Sequence, residues 1–147
     1  MNTYNIVVGA IVVHNERVLL LQRSLSERFL PGAWGIPAGK VNYGEQLEDA
    51  VLRELYEEAG IRGKLECMAG SSWFASAKDG KELKNLQINF VLTTESETAH
   101  PGESCAAAQW VHRDELEHAP IPIDDFTQQT IKLALKTTAN NAPIPTH

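Results

Sequence analysis

A chain of 147 residues, 43% hydrophobic and 22% charged, has the composition of one globular domain with a core that needs no disulfide staples. Its net charge of −6 and the lack of a basic stripe exclude a nucleic-acid polymer as partner, although local Lys or Arg beside metal ions still serve a phosphate. The apolar run at 6–13 is too short to span a membrane and lacks the basic flank of a signal peptide, so a cytoplasmic protein without membrane contact is expected.

Residues 4–14 are β-branched and apolar and predict a strand, with Gly9 marking a bulge or a close approach. Asn15 and Glu16 turn the chain into a second strand at 17–23, and the pair reads as a hairpin covered on both faces. Residues 24–32 form a polar loop. Its basic side chains, Arg23 and Arg28, fit an ordinary exposed connection or a phosphate-binding loop equally well. Residues 33–41 are extended and punctuated by Gly and Pro. Trp34 there reads as core rather than a base-stacking platform, and Lys40 as a phosphate contact or a solvated lysine.

From Glu45 to Ala59 the chain has no Gly or Pro and predicts about four turns of helix, with Asn42 or a near neighbour as cap and Gly60 as stop. With Glu54 set at zero and about 100° per residue, Ala50, Leu47 and Val51 form an apolar stripe that Glu57 and Glu58 extend. A solvated acidic face would sit opposite such a stripe. Like charges at these spacings repel by roughly 0.2–0.5 kcal/mol per pair even when exposed, so a cation is required. Hard oxygen donors suit Mg²⁺ or Mn²⁺ shared with a phosphate.

Residues 65–77 and 86–93 predict two strands joined through a turn at 78–81, and Trp73 and Phe74 fit either a nucleobase pocket or simple burial. An acidic loop at 95–104 precedes a short strand at 106–111 and a single turn at 113–116. Pro120 and Pro122 break the chain before Asp124 or Asp125 caps a second helix. That helix has Phe126, Thr130, Leu133 and Ala134 on one side, and Lys132 and Lys136 suited to its C-terminal dipole. One domain over 1–136 is expected, with a disordered tail at 137–147. Cys67 and Cys105 are expected as free thiols, and the histidines lack zinc-ligand spacing.

Gly39, five residues, Glu45, seven residues, then Arg53-Glu54-Leu55-x-Glu57-Glu58-x-Gly60-Ile61 resembles the complete box of the Nudix hydrolases. A chance match in a chain of this length is on the order of one in 10⁸. The resemblance implies an α/β fold, a mixed sheet between helices in an α/β/α sandwich. It implies Mg²⁺- or Mn²⁺-dependent hydrolysis of a nucleoside diphosphate linked to another group. It makes Glu54, Glu57 and Glu58 metal ligands and Glu45 a weaker ligand or support. Ala38, where many relatives have Gly, gives a main-chain carbonyl to the metal shell. Arg53 orients the carboxylates, while Gly39 and Gly60 shape the loop and the helix end. Arg23, Arg28 and Lys40 are the expected substrate contacts. Some relatives take their general base from the loop before the late strand, where Glu103 is the nearest match and Glu97 and Glu95 are alternates. Others use the residue matching Glu54.

Three other readings compete: a non-catalytic nucleotide sensor, an isomerase of isoprenyl diphosphates on a related fold, and a plain acidic interaction domain. The sensors usually lose box carboxylates, and the isomerases carry a different box. Residues 72–79 lack the Pro of the family's ADP-ribose subgroup and the Tyr of its diadenosine-polyphosphate subgroup. By elimination a nucleoside or deoxynucleoside triphosphate is favoured over a nucleotide sugar. The expected partner is that small molecule, and a homodimer is compatible with the sequence.

Overall fold

The structure is a computed structural model and describes residues 3–140. Strand β1, Tyr4–His14, is apolar on both faces and therefore central: Val8, Ala10 and Val12 are buried towards one helix layer and Ile11 towards the other. It runs parallel to β6, Lys81–Thr93, in unbroken register from Tyr4 beside Lys84 to Val13 beside Thr93.

Strand β2, Arg17–Arg23, follows a tight turn in which Asn15 and Glu16 both take positive φ, 49° and 64°, the twist that suits a two-residue hairpin. The hairpin is shorter than expected. Only Val13–Val18 and His14–Arg17 pair, and the strands then part. From Val7 to Gly9 the edge of β1 is taken by β4, Ala38–Lys40, while β2 pairs with β7, Cys105–His112, and with β3, Trp34–Gly35. This parting leaves a cleft.

The remaining strand, β5, Lys64–Lys78, joins β6 through Asp79 and Gly80, which take φ of 53° and 75°. Both strands exceed the expected lengths, β6 beginning five positions earlier. Trp73 stands exposed with its edge towards Tyr4, centroids 5.7 Å apart. It therefore takes neither expected place, core or pocket.

Helix α1, Leu47–Ala59, covers one face of the sheet through Ala50, Val51, Leu55 and Ala59. Helix α2, Asp125–Asn140, covers the other with Ile131, Ala134 and Leu135, together with a 3-10 turn at Arg113–His118. The result is the expected α/β/α sandwich on a mixed sheet. Helix α1 starts two residues later than predicted because Gly44 sits at φ 79° and Glu45 closes a separate turn. There Glu45 N–H donates to the Asn42 carbonyl at 3.0 Å, and Asn42 N–H donates to the Glu45 carboxylate at 3.0 Å. Gly60 ends the helix in the left-handed region, as predicted.

Asp124 caps α2, its carboxylate accepting Thr127 N–H at 2.7 Å. Of the predicted stripe of this helix Thr130 and Ala134 are buried as expected, whereas Phe126 and Leu133 stay exposed and Thr127 and Ile131 take their place. The helix also passes the expected order boundary at 136. The Thr137 and Thr138 hydroxyls donate to the Leu133 and Ala134 carbonyls, and residues 141–147 lie outside the described residues. Lys132 consequently lies short of the last turn and pairs with Glu117. Among the described residues no helix is long and apolar enough to cross a membrane, and Cys67 and Cys105 are free.

Candidate active site

The cleft between β1 and β2 widens into a cavity of about 950 Å³, the size of a small-molecule site. Glu54, Glu57 and Glu58 line one side, next to Ala38 and Gly39 of β4. Helix α1 delivers these acids because positions i, i+3 and i+4 share a face. Gly39 is required there: a Cβ at this position would collide with the Glu54 carboxylate. Glu58 is held by the Ala38 N–H, which donates to its two oxygens at 3.1 and 3.4 Å. The contact that Ala38 makes is thus through its amide.

Arg53 organises the rest. Its Nε and one terminal nitrogen grip Glu45 at 2.8 and 2.9 Å, the second terminal nitrogen reaches Glu54 at 2.8 Å and Glu57 at 3.2 Å, and the Lys40 carbonyl accepts at 3.1 Å. The cation that the acidic face needs is therefore partly built in. Bidentate pairing of this kind is stronger and more directional than a single contact. It holds Glu45 at about 2, well below its usual 4.5, and the partners raise Arg53 further above its ordinary range.

Glu58 lies outside this grip. Burial pushes its pKa from 4.5 to about 8, the Ala38 N–H opposing and the Glu54 charge adding. Burial likewise raises Glu54, with Arg53 opposing. Two carboxylates whose ionised forms are penalised by burial and by each other fit a divalent cation, which removes that penalty. Their hard oxygen donors suit Mg²⁺ or Mn²⁺. Among the described residues no three His, Cys, Asp or Glu side chains stand in a closed ligand set. Two features account for this: Glu45 is saturated by Arg53 and Asn42, and the side chain of Glu57 is exposed and turned to Arg53.

Arg23, Arg28 and Lys40 all line the cavity. Glu103 does not: it is exposed on the loop before β7, while its neighbours Ser104 and Cys105 reach the wall. That loop is tied to α1, with His100 N–H on the Ala59 carbonyl at 2.7 Å and Gly102 N–H on the Glu58 carbonyl at 2.9 Å. Glu97 points elsewhere, its carboxylate 3.6 Å from His14.

The family model of the NUDIX domain matches residues 3–133. The chain belongs to the Nudix family. The NAD-capped RNA hydrolase NudC of Chromobacterium violaceum is 33% identical over 115 residues, which is 77% of this chain and 40% of that protein. The MutT NUDIX hydrolase of Burkholderia pseudomallei superposes with TM-score 0.68 at 28% identity, covering 90% of this chain and 98% of that one. The MutT protein of Methanosarcina mazei Go1 gives TM-score 0.72 at 25% identity, covering 97% and 98%. The chain spans less than half the length of the curated relatives it matches. Within the Nudix fold, the cavity has further walls that the sequence did not flag. They include Asn5, Asn85, Gln87 and Phe126, and Phe29 of the 24–32 loop joins them. Asn85 falls before the strand predicted at 86–93, and Gln87 and Asn89 are polar alternates that carry no local sign of facing a cavity.

Proposed function

We propose that this Nudix protein hydrolyses a diphosphate linkage in a small nucleotide derivative, with a nucleoside or deoxynucleoside triphosphate as substrate and Mg²⁺ or Mn²⁺ as cofactor. The observation that carries the reading is the pair Glu54 and Glu58, both half-buried beside Gly39 and Ala38 on the wall of a cavity that also holds Arg23, Arg28 and Lys40. A sensor or a plain interaction domain gives no reason for that costly pair.

Glu54 and Glu58, with Glu57 and the Ala38 carbonyl, would hold the cation, which when bound screens phosphate oxygens and sharpens the attacking water. The three basic side chains orient the phosphates and offset their charge. Arg53 fixes the Glu54 carboxylate through one oxygen, leaving the other free towards the cavity. Of the candidate proton acceptors, Glu54 lines the cavity and Glu103 does not, which supports Glu54. Glu45 serves as the anchor of Arg53 and not as a ligand, since its oxygens are already spent.

Incubating the protein with a nucleotide library, with Mg²⁺ and with excess chelator, tests the reading. Metal-dependent release of pyrophosphate from triphosphates is expected. Release of nucleoside monophosphate from nucleotide sugars alone would replace the substrate, and no release from any nucleotide would remove the reading.

A further inference from the structure

Opposite the acids the cavity has a second wall of different chemistry. On β6 the alternation of the strand puts Asn85, Gln87 and Asn89 on one face, 3%, 5% and 3% exposed. The parallel register sets Asn5 of β1 beside Asn85 and Gly9 beside Asn89. Gly9 must lack a side chain: a Cβ there would stand 2.6 Å from Asn89 Oδ1 and 2.8 Å from Gln87 Nε2. The row is a packed feature of the sheet.

Its members are not equally satisfied. Asn85 is filled, its Nδ2 facing Ser76 Oγ at 3.0 Å and the Phe74 and Leu83 carbonyls at 3.3 Å, its Oδ1 accepting from Asn5 at 3.2 Å. That is a structural asparagine. Gln87 makes one bond, Nε2 to Asn89 Oδ1 at 2.7 Å. Its carbonyl oxygen has no partner among the described residues, nor has that of Asn5, and both residues line the cavity. Across the strand pair from Gln87, the buried Ser72 hydroxyl also lacks a partner. The oxygens of Gln87 and Asn5 are not sealed in the sheet but open on the cavity, where a ligand can take the place of water as their partner.

The ligand that completes them is uncharged and planar. The unpartnered atoms of Gln87 and Asn5 are carbonyl oxygens, which the acceptor oxygens of an anion cannot satisfy, whereas each amide offers an acceptor and a donor side by side. Nearby, Phe74 stacks on Phe29 at 5.8 Å and meets the edge of Phe126 at 6.2 Å, placing aromatic faces on the same cavity.

We infer that Gln87, seconded by Asn5, is a specificity-determining residue that reads the hydrogen-bonding edge of the substrate's heterocyclic base. The inference rests on the cavity being the nucleotide site but not on the hydrolysis.

Equilibrium binding in chelator tests it, with the four common ribonucleoside monophosphates and ribose 5-phosphate as probes. The whole protein is expected to bind at least one nucleoside monophosphate roughly tenfold or more tighter than ribose 5-phosphate. Gln87→Leu and Gln87→Met should each erase that preference while leaving ribose 5-phosphate binding close to the parent's, with a lower melting temperature from loss of the bond to Asn89 Oδ1. Asn5→Ala, at a partly buried position, carries the same expectation if either change at 87 fails to fold. A parent without the preference, or folded variants that keep it, would overturn the inference. Failure of the hydrolase reading looks different: the preference persists and no phosphate is released.

Discussion

Glu58 is a half-buried carboxylate whose pKa burial raises well above its ordinary value, and its protonation is linked to folding. Its folded pKa of about 8 lies above the ordinary 4.5, so the fold binds a proton that the unfolded chain releases. The resulting stability is complete below 4.5 and is lost as pH rises through 8. In chelator, the melting temperature should therefore fall from pH 5 towards pH 8, and Glu58→Gln should flatten that fall. A parent curve that rises over the same range would show that the carboxylate is solvated. A second residue-scale prediction separates the proton acceptors. Glu54→Gln should cut turnover by roughly 10²–10⁴, and Glu103→Gln should stay within a few-fold. Steady-state rates at saturating Mg²⁺ decide it, and the reverse order would return the role to the loop.

At the scale of elements, the loop before β7 and the last turn of α1 behave as one piece. Gly102 lies so close to the Glu57 carbonyl that a Cβ would collide with backbone, which cannot yield as a side chain can. Gly102→Ala should cost about 1–3 kcal/mol by overpacking, read as a shifted urea midpoint, and should lower turnover by displacing Glu57 and Glu58. An unchanged midpoint would mean that the loop gives way freely. Helix α1 and its stop at Gly60 were legible because composition, periodicity and motif agree there. The hairpin of β1 and β2 was only half legible. Its turn is local, but the parting of the strands depends on β4 and β7 competing for their edges, which no local pattern records. Arg53 was readable as an orienting residue, yet its bond to Glu45 across eight residues required the turn at Gly44. Asn85, Gln87 and Asn89 were not singled out in the sequence, because alternation locates a face without saying what covers it.

For the molecule as a whole, two sandwich faces are packed with ordinary apolar side chains, and the carboxylates that burial raises, Glu54 and Glu58, both line the cavity. A cation that binds only the folded state should raise the melting temperature by mass action. Neutralising Glu57→Gln should shrink that increment, because fewer charges remain to attract the ion; an increment of unchanged size would place the ion elsewhere. The decisive measurement is the release of pyrophosphate or phosphate from nucleoside triphosphates, by the parent and by Glu58→Gln, across a Mg²⁺ titration that begins in excess chelator. Turnover should be absent in chelator, should appear as Mg²⁺ is added, and should remain lost in Glu58→Gln at every Mg²⁺ concentration. Full turnover in chelator, or a Glu58→Gln protein that matches the parent, would contradict the role assigned to the half-buried carboxylates Glu54 and Glu58.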